Sequence, residues 1–138
     1  MPIIPQPLQS VYPPETVESK NSAPTQLKFA KKHDVRVEKY ALDYLGNQDV
    51  GLINLSIDDA NIDLASVGVS EESYELRVLD SSIEISARTT WGAIRSLATL
   101  WQAAKQGRLN PGLSIRDEPR FLWRGLMLDV ARHFIPLQ

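Results

Sequence analysis

The side chains able to do chemistry in this sequence are few, and most gather toward its end. Asp117-Glu118 is the one place where an aspartate directly precedes a glutamate, and adjacent carboxylates invite a general acid–base role. They stand immediately before Pro119, however, at what reads as a junction, where no fixed pocket can raise the glutamate's pKa. The pair is therefore expected to be a solvated linker, capping or pairing with Arg116 or Arg120. Arg124 borders a run of apolar residues, and a guanidinium placed there needs partners. Its planar fork suits paired acceptors such as vicinal hydroxyls; the plain alternative is an exposed arginine at a strand start. Asp129, Arg132 and His133 follow closely, either as an Asp129–Arg132 pair bracing a loop or as ligand contacts. The second histidine, His33, is remote in sequence and no acidic cluster has ligand spacing, so no metal site is expected. Trp91 and Trp101 could act as stacking platforms, but their spacing fits the packing face of a helix better.

Several elements must position these residues. Five prolines within the first fourteen residues (Pro2, Pro5, Pro7, Pro13 and Pro14) forbid helix and limit pairing, predicting an extended lead-in on the surface. Leu27 and Phe29 alternate with polar neighbours as a short strand. Asp34 can cap a helix over 34–45 that ends at Gly46-Asn47, with Val37, Ala41, Tyr44 and Leu45 forming its apolar stripe. Ile53, Leu55 and Ile57 give a further strand, followed by a polar connection over 58–70. Tyr74, Leu76 and Val78 face Ile83, Ile85 and Ala87 across Asp80-Ser81, an antiparallel hairpin with one wet face. Thr89 or Thr90 can cap a second helix, over 90–106, which Gly107 ends; Trp91, Ile94, Leu97, Ala98 and Trp101 form its expected packing stripe. Such elements predict an α+β fold: a mostly antiparallel sheet with two helices on one face.

Bulk properties narrow the function classes. A chain of 138 residues, 43% hydrophobic and 23% charged, suits one ordinary globular domain rather than two complete ones. A net charge of −2 with scattered basic residues gives no footprint for nucleic acid or an anionic membrane. The absence of cysteine excludes disulfides, thiolate metal sites and cysteine nucleophiles. No segment has the roughly 18 consecutive apolar residues of a membrane span. The N-terminus lacks the basic start and long apolar run of a signal peptide. That leaves a cytoplasmic protein, or a periplasmic or secreted one whose sequence begins at a mature end.

The end of the chain differs in kind. In Phe121-Leu122-Trp123-Arg124-Gly125-Leu126-Met127-Leu128-Asp129-Val130, the consecutive apolar residues Leu126 to Leu128 predict a strand buried on both faces. It fits the interior of a parallel sheet or barrel, or else a central strand of the first domain. Extended through Ala131-Arg132-His133-Phe134, the stretch resembles the first barrel strand of glycoside hydrolase family 20, whose members carry Arg-Gly, three apolar residues, then Asp-x-Ser-Arg-His-aromatic. Ala131 departs mildly from the usual serine. Asp117-Glu118-Pro119-Arg120-Phe121 is similar to the entry into that barrel. The hairpin followed by Thr90-Trp91-Gly92-Ala93-Ile94 through Trp101-Gln102, and the opening Ile3-Ile4-Pro5-Gln6-Pro7, resemble the family's N-terminal, chitobiase-like domain.

The resemblance implies residues 1–119 as a non-catalytic accessory domain and 120–138 as the start of a (β/α)8 barrel, a truncated TIM barrel. It implies β-N-acetylhexosaminidase activity in the whole enzyme, by substrate-assisted retaining hydrolysis of terminal N-acetylhexosamine, with no cofactor. The family's Asp-Glu pair would lie beyond Gln138, leaving this chain inactive by itself. Arg124 would sit on the floor of the sugar pocket, with Asp129, Arg132 and His133 supporting the loop at the barrel's active end. Residues 122–130, apolar with open edges, would self-associate in the absence of their barrel neighbours. The alternatives are a non-catalytic carbohydrate-binding or protein-interaction module, and the equivalent domain of a related barrel glycosidase.

Overall fold

The computed structural model describes residues 9–11, 24–30, 34–46, 48–60, 71–121, 124–125 and 127. Its organising unit is strand β2 (Gln26–Phe29), helix α1 (Val35–Leu45) and strand β3 (Leu52–Asp59). Asp34 starts the helix as expected: its Oδ1 accepts from the Arg36 backbone N–H at 2.9 Å while its backbone stays extended. A helix between two strands returns the chain to the edge from which it left, so β2 and β3 pair in parallel, Leu27 opposite Ile53 and Phe29 opposite Leu55.

Strand β4 (Tyr74–Val78) turns tightly into β5 (Ser82–Thr89), with the Leu79 N–H donating to the Ser82 carbonyl at 2.8 Å. This is the expected hairpin, Leu76 opposite Ile85 and Val78 opposite Ile83. Its second strand also runs parallel to β3, placing Ile53 beside Ile83 and Leu55 beside Ile85. Helix α2 (Thr90–Lys105) follows β5 without a linker, and Thr89 serves both as the last strand residue and as the cap. At the other end, Gly107 takes a positive φ of 65°. A side chain is rarely tolerated there, and the turn lets the N–H groups of Gly107 and Arg108 reach back to the Ala104 and Ala103 carbonyls.

Two strands lie where no strand is expected from the residue pattern. Ser114–Asp117 forms β6, antiparallel to β4. Gln9–Val11 forms β1, paired antiparallel to the outer edge of β6. The prolines of the lead-in therefore do not prevent pairing, because residues 8–12 are free of them and an edge strand needs only one bonded side. The complete order is β1-β6-β4-β5-β3-β2. The α+β class holds, but the sheet is mixed: antiparallel from β1 to β5, parallel from β5 to β2.

One face of the sheet is largely apolar, carrying Ile53, Leu55 and Ile57 from β3, Leu76 and Val78 from β4, Ile83, Ile85 and Ala87 from β5, and Ile115 from β6. Both helices belong to the core on this face: α1 through Val37, Ala41 and Leu45, and α2 through Ala93, Leu97, Leu100 and Ala103. Each large side chain so buried contributes roughly 1.5–3 kcal/mol. The buried face of α2 is centred differently from its expected stripe. Ile94 and Leu97 are buried, but Trp91 and Trp101 are only half-buried on the flank toward α1. Trp101 meets Tyr44 at 6.1 Å between ring centroids, and Trp91 lies beneath the Arg36 guanidinium at 5.0 Å. The small residues Ala93, Ser96 and Ala103 take the inner positions because the helix lies close on the sheet.

Candidate functional site

The polar features of this sandwich concentrate at the entry to β4. Residues 71–73 are fixed there by backbone contacts before their side chains act. The Thr89 hydroxyl donates to the Glu71 carbonyl at 2.7 Å while accepting from the Gly92 N–H at 3.3 Å, joining the helix cap to the segment ahead of β4. The Arg88 N–H donates to the Ser73 carbonyl at 3.3 Å. Gly92 presses against the same stretch: a Cβ at that position would stand 2.6 Å from the Ser73 carbonyl oxygen. The start of α2 can lie this close only because residue 92 has no side chain.

From this fixed stretch Glu72 points into a cluster of charge. Its side chain is 6% exposed, and each carboxylate oxygen has its own arginine. Arg95, on α2, donates its Nε–H to Oε2 at 2.8 Å. Arg124 donates from Nη2 to Oε1 at 2.5 Å and from Nη1 to the Phe121 carbonyl at 2.7 Å. Burial by itself would raise the Glu72 pKa. The hydrogen bonds and charge of Arg95, then those of Arg124, outweigh it and hold the carboxyl below its ordinary value. Glu72 is thus an ion at neutral pH, the opposite of what a general acid requires. The cluster can bind and orient; it does not supply a proton.

A few residues away, the buried Tyr74 hydroxyl lies 2.6 Å from Thr99 Oγ1 and donates to Asp117 Oδ2 at 3.3 Å. Burial above all pushes the Tyr74 phenol well above its usual range, and the Asp117 charge adds to the effect. This corrects the expectation for Asp117-Glu118. Asp117 is the last residue of β6 and part of the domain's internal bonding, not a solvated linker residue. Glu118 is exposed, as expected.

Of the other residues singled out in the sequence, Arg124 is half-exposed at 41% and its guanidinium is brought to Glu72. Asp129, Arg132 and His133 lie outside the described residues, as do His33, Trp123 and most of 122–130. Met127, within that last stretch, is 90% exposed. Glu72 was missed altogether. Its only sequence signal is a charged residue two positions before an alternating strand, a place where solvated glutamates are common. A separate shallow cavity of about 250 Å3 lies on the polar face of the sheet, lined by Asn54, Ser56, Glu75, Arg77, Glu84 and Ser86 among others. It shares no residue with the Glu72 cluster. Among the described residues no helix is long and apolar enough to cross a membrane.

Known proteins carry the same arrangement of elements. Beta-hexosaminidase 1 of Coccidioides posadasii is 38% identical over 98 residues, covering 67% of this chain and 16% of that protein. The beta-N-acetylhexosaminidase of Cellulomonas fimi is 43% identical over 68 residues, 46% of this chain and 14% of that protein. Among solved structures, the exo-beta-N-acetylglucosaminidase of Vibrio harveyi with bound N-acetylglucosamine superposes with a TM-score of 0.66 at 26% identity, over 96% of this chain and 21% of that one. The chain therefore spans about a sixth of the length of its first curated relative. Residues 9–103 match the family described as beta-acetyl hexosaminidase like, and the chain belongs to that family, the accessory domain of glycoside hydrolase family 20 β-N-acetylhexosaminidases.

Proposed function

We propose that this chain is the accessory portion of an enzyme that removes terminal N-acetylhexosamine from glycans or chitooligosaccharides by substrate-assisted, retaining hydrolysis. Residues 1–119 form the non-catalytic domain, and 120–138 begin the catalytic barrel. The observation that carries this is the family match across 9–103, followed downstream by the Arg124-Gly125 to Arg132-His133-Phe134 stretch. In this reading Arg124 contributes to the sugar pocket, and Asp129, Arg132 and His133 support the adjoining loop. A guanidinium has five N–H donors. The two bonds to Glu72 and Phe121 leave others for hydroxyls.

The 138-residue chain itself is expected to be inactive. Its one Asp-Glu sequence is Asp117-Glu118, with Asp117 engaged by Tyr74 and Glu118 exposed, so neither is poised as a catalytic acid. The test is release of chromophore from an aryl N-acetyl-β-glucosaminide, by this polypeptide and by a longer product of the same reading frame. No turnover from the former and turnover from the latter is the expected result. Activity that follows the 138-residue protein through a sizing column would overturn the assignment. The same column tests self-association through 122–130, where exposed Met127 offers apolar surface. The expected outcome is a concentration-dependent mass that becomes monomeric when residues after Pro119 are deleted.

A further inference from the structure

We propose that Glu72 is a positioning residue for Arg124: a carboxylate of the accessory domain that fixes the guanidinium which meets the sugar. The inference rests on the sugar-binding role proposed above for Arg124. It follows from the distribution of that residue's contacts. The Phe121 carbonyl is local, three residues back along the same strand of chain. Glu72, by contrast, is fifty-two positions away in sequence and belongs to the sandwich. It is the contact that ties the arginine to the sandwich rather than to its own segment.

Glu72 is suited to this because its own freedom has been removed. Its backbone is held between the Thr89 hydroxyl bond to Glu71 and the close approach of Gly92 to Ser73. Its second oxygen is occupied by Arg95. With the side chain 6% exposed, the carboxylate cannot turn away to water. Arg95 is 62% exposed and Arg124 41%, so the buried anion is the fixed member and the two cations are arranged around it. Charge-assisted hydrogen bonds of this kind are directional as well as strong. Small errors in the placement of a binding group are expensive in affinity, so a guanidinium held from a second domain binds hydroxyls better than one held only by its own segment. The accessory domain then acts on specificity without touching the substrate.

The experiment is a double-mutant cycle between Glu72→Met and Arg124→Met, read in two ways. Methionine matches the length of either side chain approximately and offers no charge. In the whole enzyme, Glu72→Met should raise KM for an aryl N-acetyl-β-glucosaminide roughly tenfold with kcat nearly unchanged, the signature of lost binding rather than lost chemistry. Arg124→Met should raise KM at least as much, and the double variant should be no worse than Arg124→Met alone. In the 138-residue chain, the shifts in urea midpoint of the two single variants should be non-additive, which reports the contact independently of substrate. An unchanged KM for Glu72→Met beside a raised KM for Arg124→Met would overturn the positioning role and leave the sugar role of Arg124 standing. Multiplying effects on KM, or additive midpoints, would overturn it as well. If Arg124→Met itself leaves KM unchanged while the midpoints remain coupled, the sugar role falls and the positioning role falls with it, and the pair is a purely structural tie.

Discussion

Two regions of this domain are built on different principles. Between the helices and the sheet, packing is apolar and redundant: Leu97 and Leu100 of α2 share one continuous core with Ile83, Ile85, Leu76 and Ile115. At the entry to β4 everything is singular: one buried carboxylate, one arginine for each oxygen, one glycine allowing a helix to approach a backbone carbonyl. The first region makes the domain stable and would tolerate repacking. The second holds individual polar atoms in place, which a redundant contact cannot do. A core built on volume fixes a fold, whereas a junction built on paired polar atoms fixes a geometry.

This contrast would break if the energies ran the other way. The largest effect is expected in the core: Leu97→Ala, at a wholly buried position, should cost about 2–5 kcal/mol, lost transfer energy plus a cavity, measured as a fall in urea midpoint. Replacement of Glu72 should cost less. Glu72→Gln removes a charge and weakens bonds worth about 1.5–3 kcal/mol when one partner is ionised, and half-exposed arginines place the loss toward the lower end. A larger loss for Glu72→Gln than for Leu97→Ala would mean that the junction, not the core, holds the domain together.

The Glu72 change also sharpens the contrast through pH. Because its folded carboxyl titrates below its ordinary value, its stabilisation is complete at pH values above the usual glutamate range. It is lost as pH falls through that range and below. The gap between the parent chain and Glu72→Gln should therefore be widest near neutrality and close in acid. Leu97→Ala should show a gap with no such dependence. The Arg95 and Arg124 guanidiniums, and the neighbouring Arg88–Glu71 ion pair, are the charges in play. The smallest effect belongs to the polar face of the sheet. Arg77→Ala removes a 2.5 Å pair with Glu75, both side chains well exposed, and should shift stability by less than about 1 kcal/mol. A larger shift would give that face a structural role that its exposure does not suggest.

Legibility in the sequence followed the same division. The Tyr74–Ala87 hairpin, the Asp34 and Thr89 caps and the strand through Ile53, Leu55 and Ile57 could be read because period and capping chemistry are local. The parallel pairing of β2 with β3 was not read; a mostly antiparallel sheet was expected, and the mixed one follows from the helix between these strands. Other features were hidden because their cause lies far along the chain. Ser114–Asp117 is too short to show a period, and becomes a strand only because β4 and β1 flank it. Trp91 and Trp101 fitted the expected stripe by spacing, yet close packing of α2 on the sheet favoured alanines at the centre and moved the large rings to the flank. Glu72 had no signal that set it apart from a solvated glutamate. Its partners are 23 and 52 positions away, and a buried ion can be recognised only when both are seen. Arg124 was singled out for what it could bind, whereas the structure adds what holds it.

The position of β1 has a consequence for how the domain is made. Its neighbour in the sheet, β6, is the last strand among the described residues. During synthesis at about 5–20 residues per second, the roughly hundred residues between them take on the order of 5–20 s to emerge. For that interval the nascent chain carries Gln9–Val11 without the edge it is destined to join. The prolines on either side of Gln9–Val11 make that waiting segment a poor template for pairing with other chains.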